Sequence, residues 1–150
     1  MASLSEIWSS LRRVRSLQFD ARSEAGSGWD GVGTGIVAVS EPMNGVIVFQ
    51  ESGTWQPSAV SRPAVRFTNV FRWSSKSETI RLEHLRFGAN HPVLLFDLAL
   101  SGGGEWRENN PHLCREDCYT ATMAVEGERL LVRWSIQGPC KRESIAYTYS

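Results

Sequence analysis

The feature of this sequence that most constrains its fold is a change of hydrophobic period near residue 17. Before that point the apolar residues recur at the spacing of one helix face, and after it they alternate with polar residues, as in half-buried strands. We predict nine strands, at residues 17–23, 36–39, 45–55, 64–74, 79–87, 93–100, 119–125, 129–137 and 143–149. Turn sequences rich in Gly, Pro, Asn and Ser separate them. Because no helix-length segment lies between the strands, the pattern favours an antiparallel sheet over strand–helix–strand units.

The segment before the strands predicts one N-terminal helix, over residues 3–17. Ser3 and Glu6 have the spacing of a capping box, which satisfies free backbone donors at a helix start. The apolar stripe predicts that this helix packs on the rest of the domain, and a lid over the mouth of a barrel is the alternative.

The strand pattern predicts an all-β fold, an antiparallel meander β-barrel of about 8–10 strands. We expect one domain that spans residues 1–150. Several strands combine an apolar face with a mixed one, which is typical of small barrels that can hold one ligand. A two-sheet sandwich gives similar alternation and stays open as an alternative.

The composition of the chain limits which classes of partner are expected. The chain is 41% hydrophobic and 21% charged, as in globular proteins, and its 16 basic and 16 acidic residues cancel. Balanced charge supplies no long-range field that would attract nucleic acid, so none is expected as a partner. We also expect no membrane span and no signal peptide. The odd count of three cysteines suits a reducing compartment, so we expect a cytoplasmic protein, with a homodimer left open.

Polar residues interrupt otherwise apolar strand faces at a few positions. Asn69 interrupts the face that carries the aromatic residues of strand 64–74. His84 and Arg86 follow apolar residues on one face, so either both point inward or a bulge exchanges the faces near His84. Asp97 lies in an apolar strand, where a carboxylate needs a partner, and we expect Arg86 or Arg133. The resulting ion pair is either structural or orients a ligand.

These interruptions suggest a barrel that binds a small, partly apolar ligand without a cofactor. The predicted site has a polar set and an apolar set: His84, Arg86, Asp97 and Asn69, then Phe67, Phe71, Trp73 and Trp134. Trp29 and Trp106 are expected in loops, as further pocket or contact residues. One alternative is an enzyme with isomerase, cyclase or lyase chemistry, for which His84, Asp97 and His112 are the acid–base candidates. Another is a protein-interaction module that uses a sheet edge or the arginine-rich end of the helix.

Two further patterns carry less weight. His112, Cys114 and Cys118 are zinc-ligand types, and Asp117, His91 or Cys140 would supply a fourth ligand. Their spacing matches no standard zinc module, so we expect ordinary thiols and no metal. The glycines at 26, 28 and 31 match a dinucleotide fingerprint by letters, but a strand follows them where the fingerprint needs a helix.

Three segments carry a resemblance to a known family: LEHLRFGANHPVLLFDL at 82–98, PHLCREDCYT at 111–120, and the RW and GP pairs within 133–141. The chain resembles a family of short bacterial and fungal proteins of unknown function along nearly its whole length, and this resemblance implies no catalytic residue. Gly28-Trp29-x-Gly31-x-Gly33 is similar to the entry motif of nitrobindin-like members of the calycin group, which includes lipocalins and fatty-acid-binding proteins. That resemblance implies a calycin-like ligand-binding barrel. Such relatives hold haem through a C-terminal histidine, and no histidine follows His112.

Overall fold

The computed structural model describes residues 3–24, 30–59, 61–101, 105–108, 112–114 (by their backbone), 117–139 and 142–150. Within these residues one helix precedes eleven strands. They are α1 (Leu4–Arg13), β1 (Ser16–Ser23), β2 (Gly31–Met43), β3 (Val46–Pro57), β4 (Val65–Lys76), β5 (Thr79–His84), β6 (Val93–Leu100), β7 (Trp106–Glu108), β8 (His112–Cys114), β9 (Asp117–Glu126), β10 (Arg129–Gln137) and β11 (Arg142–Tyr149).

The strands form a closed antiparallel barrel. Each strand pairs with its neighbour in sequence from β1 to β7, and β9, β10 and β11 continue the ring back to β1. β9 pairs with both β10 and β7, which closes ten strands, while β8 pairs with β9 outside the ring. The predicted meander barrel with one N-terminal helix is therefore confirmed. All nine predicted strands are present, and the sequence analysis missed β7 and β8, which have three residues each.

α1 begins as predicted but ends earlier. The Ser3 hydroxyl accepts a hydrogen bond from the Glu6 amide, and the Ser3 amide donates to the Glu6 carboxylate, so the capping box is present. The helix ends at Arg13 because the amides of Arg15 and Ser16 donate to the carbonyl of Ser150, at 2.7 and 2.9 Å. Pairing with the C-terminal strand thus replaces the last helical turn predicted at residues 14–17.

α1 closes one end of the barrel. It packs against β2, β9 and β10 and buries Ile7, Trp8 and Leu11, which are at most 8% exposed. We call this the capped end, and we call the other end, where β1 finishes and β2 starts, the cavity end. The apolar stripe of the helix is buried in this contact, as the packing hypothesis predicts.

Inward side chains fill the capped half of the barrel with a close-packed core. Its fully buried members include Ile47, Phe49, Trp73, Leu98 and Met123. Toward the cavity end the inner face of β2 carries glycines. A Cβ on Gly33 would collide with the ring of Phe19, so the glycine is needed for that ring to lie flat across β2.

A bulge interrupts the pairing of β5 with β6. Leu82 pairs with Phe96 and Glu83 pairs with Leu94, which leaves Leu95 without a partner. The extra residue lies in β6, so β5 keeps its alternation through His84. From the sequence we expect either a bulge near His84 or inward side chains for both His84 and Arg86. The bulge lies in the neighbouring strand, and the half-buried His84 side chain lies on the same face of the sheet as Phe71, on which it stacks.

Candidate functional site

A cavity of about 360 Å³ opens at the cavity end of the barrel. Its walls are mostly apolar side chains from β1, β3, β4 and β11: Phe19, Trp55, Val65, Phe67, Ile145 and Tyr147. Arg22 and Glu143 lie at its rim and Asn69 lies deeper in the barrel. The volume is within the range of small-molecule sites, which run from about 300 to 1,000 Å³.

Aromatic rings hold these walls in place. Phe19 contacts Phe67 edge-on at 5.4 Å between ring centroids and Tyr147 at 5.3 Å. Tyr147 stacks on Trp134 on one side and on Tyr149 on the other, at 6.0 and 5.3 Å. Because Phe19, Phe67 and Tyr147 each contact at least one other ring, packing holds this part of the cavity wall in place.

Glu51 lies in the barrel interior, next to Asn69 of the cavity lining. It points inward from β3 and is 2% exposed, and Val37 and Asn69 are its partners in the neighbouring strands. The hydroxyl of Tyr149 donates a hydrogen bond to Oε2 of Glu51 at 2.6 Å. Asn69, the register partner of Glu51 on β4, lines the cavity, while Glu51 itself is not among the described residues that line it.

The environment of Glu51 favours its neutral form. Burial raises the pKa of Glu51 from an ordinary value of 4.5 to about 7, and the hydrogen bonds of Tyr149 and Asn69 lower it by less. The Asn69 amide approaches the carboxyl group, but among the described residues Oε1 has no partner with the geometry of a full hydrogen bond. Buried carboxyl groups with a raised pKa occur in binding and catalytic sites and also in structural networks.

Burial also changes the pKa values of Tyr147 and Tyr149, which lie near Glu51. Burial, and then the negative charge of Glu51, raise the pKa values of Tyr147 and Tyr149 above their ordinary range. Both hydroxyls therefore stay protonated at physiological pH, and Tyr149 acts as a hydrogen-bond donor to Glu51.

The structure brings some of the predicted site residues together. Phe67 and Asn69 line the cavity. Phe71, Trp73 and Trp134 point into the barrel but belong to the core below it. His84 stacks on Phe71 at 4.8 Å, and burial, followed by the charge of Arg86, lowers the pKa of His84.

Arg86 and Asp97 lie away from the cavity. Arg86 follows the end of β5, is exposed and covers the ring of Phe87 at 4.7 Å. Asp97 points outward between buried neighbours and accepts two hydrogen bonds from Arg81, at 2.8 and 3.0 Å. The prediction that Arg86 or Arg133 pairs with Asp97 is thus wrong. Arg81 stands directly opposite Asp97 in the β5–β6 register, and this hydrogen-bonded pair lowers the pKa of Asp97.

Three buried polar residues of the barrel interior, Glu51, Tyr147 and Tyr149, are not among the site residues predicted from the sequence. Glu51 continues the inward series of Ile47 and Phe49, so strict alternation along β3 would have located it. Tyr147 and Tyr149 alternate in the same way on β11. No sequence pattern indicated that Tyr149 would contact Glu51, because 98 positions separate them.

The remaining predicted candidates lie elsewhere. Trp106, expected in a loop, is buried in β7 because its register partners Leu100 and Met123 enclose it within the ring. Trp29, Cys140 and the side chains of His112 and Cys114 lie outside the described residues. Among the residues that are described, no three histidine, cysteine, aspartate or glutamate side chains are placed to hold a metal ion.

A second, larger groove of about 700 Å³ lies across β1, β10 and β11 at the cavity end. Charged side chains such as Asp20, Arg22, Glu24 and Arg142 line it, and it continues over the outer surface. Because polar and charged groups make up most of the lining of this groove and apolar groups most of the lining of the smaller cavity, the smaller one is the better site for an apolar ligand.

Comparison with known proteins identifies a family for this chain. The model of a family of unknown function, DUF6314, matches residues 7–150. Neither the curated proteins nor the solved structures contain a match. In the described part of the chain, no helix has the length and apolar character needed to cross a membrane.

Proposed function

We propose that this chain, which belongs to the DUF6314 family of unknown function, is a barrel that binds a small, mostly apolar molecule in the cavity at its cavity end. The observation that carries the proposal is a mostly apolar cavity, open to solvent at the cavity end and lined by side chains of β1, β3, β4 and β11, with Asn69 as its inner polar group. A site of this kind gains binding energy from apolar burial and uses the few polar groups for orientation.

The proposal keeps the ligand-binding hypothesis of the sequence and changes its residues. Phe67 and Asn69 stay in the site, while Phe19, Trp55 and Tyr147 take the place proposed for Arg86 and Asp97. The likeness to calycin barrels and a cytoplasmic location belong to this proposal as well.

A neutral fluorescent probe, N-phenyl-1-naphthylamine, tests the site. We expect its fluorescence to rise on binding and the emission of Trp55 to be quenched, since that indole lines the cavity. Val65→Trp narrows the mouth of the cavity and should weaken binding by about tenfold or more, which corresponds to about 1.4 kcal/mol. Val65 is 49% exposed at the start of β4, so the strand accommodates the larger ring.

The matched control is Arg66→Trp, which adds the same side chain to the outer face of the same strand. It should leave the affinity for the probe unchanged. Equal loss of binding in both variants, or no binding by the wild-type protein, would refute the site.

Acid–base catalysis is the second candidate function, and Glu51 is the observation that favours it. A carboxyl group that is paired with a residue of the cavity lining and has a pKa of about 7 can take and return a proton near neutral pH. A ketone that fits the cavity, 2-acetylnaphthalene, tests this in D₂O, where the methyl protons should exchange faster with wild-type protein than with Glu51→Gln. Equal exchange rates would exclude Glu51 as a base for such substrates.

A further inference from the structure

The hydroxyl of Tyr147 is a polar group in the apolar cavity lining. The side chain is 6% exposed and lines the cavity, and its ring packs against Phe19, Trp134 and Tyr149. Within the described part of the chain its hydroxyl makes no hydrogen bond. Burial raises its pKa, so the hydroxyl keeps its proton and can donate it. Because a buried hydroxyl without a partner is costly, a molecule in the cavity is the natural source of that partner.

The neighbouring strands explain why this hydroxyl lacks a protein partner. Tyr147 and Tyr149 are successive inward residues of β11, and their rings are parallel within 10°. The hydroxyl of Tyr149 reaches Glu51 across the barrel on β3. The ring of Tyr147 points the same way one inward position nearer the cavity end, where β3 carries Gly53. A Cβ at Gly53 would collide with the backbone oxygen of Thr34, so β3 offers no side chain to this hydroxyl.

Asn69 supplies a hydrogen-bond acceptor at the inner end of the same cavity. It lines the cavity and is the register partner of Glu51. The hydrogen bond of its side chain lowers the pKa of Glu51, which requires that the amide nitrogen of Asn69 faces the carboxyl group. The side-chain carbonyl of Asn69 is therefore left to accept a hydrogen bond from a ligand. The inner end of the cavity thus combines one donor, from Tyr147, with one acceptor.

The charged side chains of the lining lie away from this inner end. Among the described lining residues Arg22 and Glu143 carry charge, and both lie at the rim. Arg22 pairs there with Asp20 at 3.3 Å. A charged ligand group at the inner end would lose its water without gaining a lining residue of opposite charge. The inner lining therefore suits a neutral polar group.

We propose that the cavity takes a neutral aromatic alcohol of the phenol type, whose oxygen accepts a hydrogen bond from Tyr147 and whose hydroxyl donates one to the side-chain carbonyl of Asn69. The inference rests on the proposed function, since it names the ligand class of the same cavity. A single hydroxyl serves both partners because it is a donor and an acceptor. The aromatic rings of the wall, which belong to Phe19, Trp55 and Phe67, contact the flat body of the ligand.

Four naphthalene compounds test this ligand class at pH 7, by displacement of N-phenyl-1-naphthylamine: 2-naphthol, 2-methoxynaphthalene, naphthalene and 2-naphthoate. 2-Naphthol offers a donor and an acceptor, the methyl ether offers an acceptor, and naphthalene offers neither. We expect the affinity to fall in that order, by about three- to tenfold for each hydrogen bond lost. The anion 2-naphthoate should bind most weakly, because its charge has no counter-charge at the inner end.

Two variants assign the two hydrogen bonds. Tyr147→Phe should weaken 2-naphthol and 2-methoxynaphthalene by about three- to tenfold and leave naphthalene unchanged. Asn69→Leu should weaken 2-naphthol by a similar factor and leave the methyl ether unchanged, because the ether has no proton to donate. Tyr119→Phe is the matched control: it removes the same hydroxyl from β9, outside the described lining, and should leave all four affinities unchanged.

The order of affinities for the wild-type protein is measured without any variant, so it tests the inference even if a variant folds poorly. Three results overturn the inference while the cavity stands: equal affinities for 2-naphthol and naphthalene, equal affinities for 2-naphthol and 2-naphthoate, or an equal loss for all neutral compounds in Tyr147→Phe. If N-phenyl-1-naphthylamine does not bind the protein, the proposed function is overturned and this inference with it.

Discussion

Glu51 is the residue whose ionisation should govern the response of the barrel to pH. Its folded-state pKa of about 7 lies above the ordinary value of 4.5, so the folded protein holds this proton over a range where the unfolded chain has lost it. The stability that the proton supplies is fully present below pH 4.5 and is lost as the pH rises through about 7. Its size is about 3 kcal/mol, from about 1.4 kcal/mol for each pKa unit.

Glu51→Gln should therefore change the pH profile of stability in a defined direction. The variant should gain about 3 kcal/mol relative to the wild-type protein between pH 4.5 and about pH 8, because its side chain never ionises. Urea unfolding at the two pH values measures this difference. Glu78→Gln, in an exposed turn, provides the control and should follow the wild-type profile. A parallel course for all three proteins would show that Glu51 ionises normally in the folded state.

Asp97 stands out in the sequence, but its ion pair should contribute little to the stability of the fold. Its pair with Arg81 lies on the outer face, with about a third of each side chain exposed. Ion pairs of this kind contribute about 0–1 kcal/mol.

Asp97→Asn should thus lower the free energy of unfolding by no more than about 1 kcal/mol at pH 7. It should leave the affinity for N-phenyl-1-naphthylamine unchanged, because the side chain does not reach the cavity. Urea unfolding and a probe titration of the same variant give both values. Weaker probe binding would restore Asp97 to the site proposed from sequence.

Among the elements, α1 starts where a local sequence pattern places it and ends where a distant contact stops it. The capping box defines where the helix starts from residues three positions apart. Its end depends on the carbonyl of Ser150, at the other end of the chain. The start was therefore readable from the sequence and the end was not.

Leu11→Ala tests the role of this helix as a cap. Leu11 is fully buried, so the truncation should cost about 2–5 kcal/mol of stability. The affinity for the fluorescent probe should stay the same, because α1 and the cavity lie at opposite ends of the barrel. Arg13→Ala, at an exposed position of the same helix, should change the stability by about 0.5 kcal/mol or less. Loss of probe binding in Leu11→Ala under conditions where the variant remains folded would contradict this arrangement.

At the scale of the whole molecule, closure of the ring couples the two ends of the chain. β1 pairs with β11 from Leu17–Tyr149 to Ser23–Glu143, and without this ladder the barrel has two unpaired edges. Such pairing of distant segments slows folding and makes the strands depend on one another.

We therefore expect one cooperative unfolding transition. Tryptophans lie in α1 and in β3, β4, β7 and β10, so fluorescence samples most of the ring. The urea midpoints from tryptophan fluorescence and far-ultraviolet circular dichroism should coincide. A ligand present at about 100 times its Kd should add about 2.7 kcal/mol to the free energy of unfolding. Both urea midpoints should then move upward together. Separate midpoints would show that part of the barrel unfolds independently.

The sequence by itself determined the features that depend on neighbouring residues. Alternation of period two located nine strands and the inward faces of β4 and β10, because a strand directs successive side chains to opposite sides. The same rule applied to β3 would have located Glu51. It could not locate β7 and β8, since three residues contain too little alternation to detect.

The tertiary structure alone decided which side chains meet. Arg81 rather than Arg86 pairs with Asp97 because the β5–β6 register places them opposite each other. Tyr149 reaches Glu51 across 98 positions because the ring closes between β1 and β11. Register and closure are selected by the packing of the whole core, and the free energy of that packing is distributed over residues far apart in the chain. The change of period near residue 17 thus predicts an all-β fold, while closure of the ring makes that fold a barrel and brings Glu51 and Tyr149 together inside it.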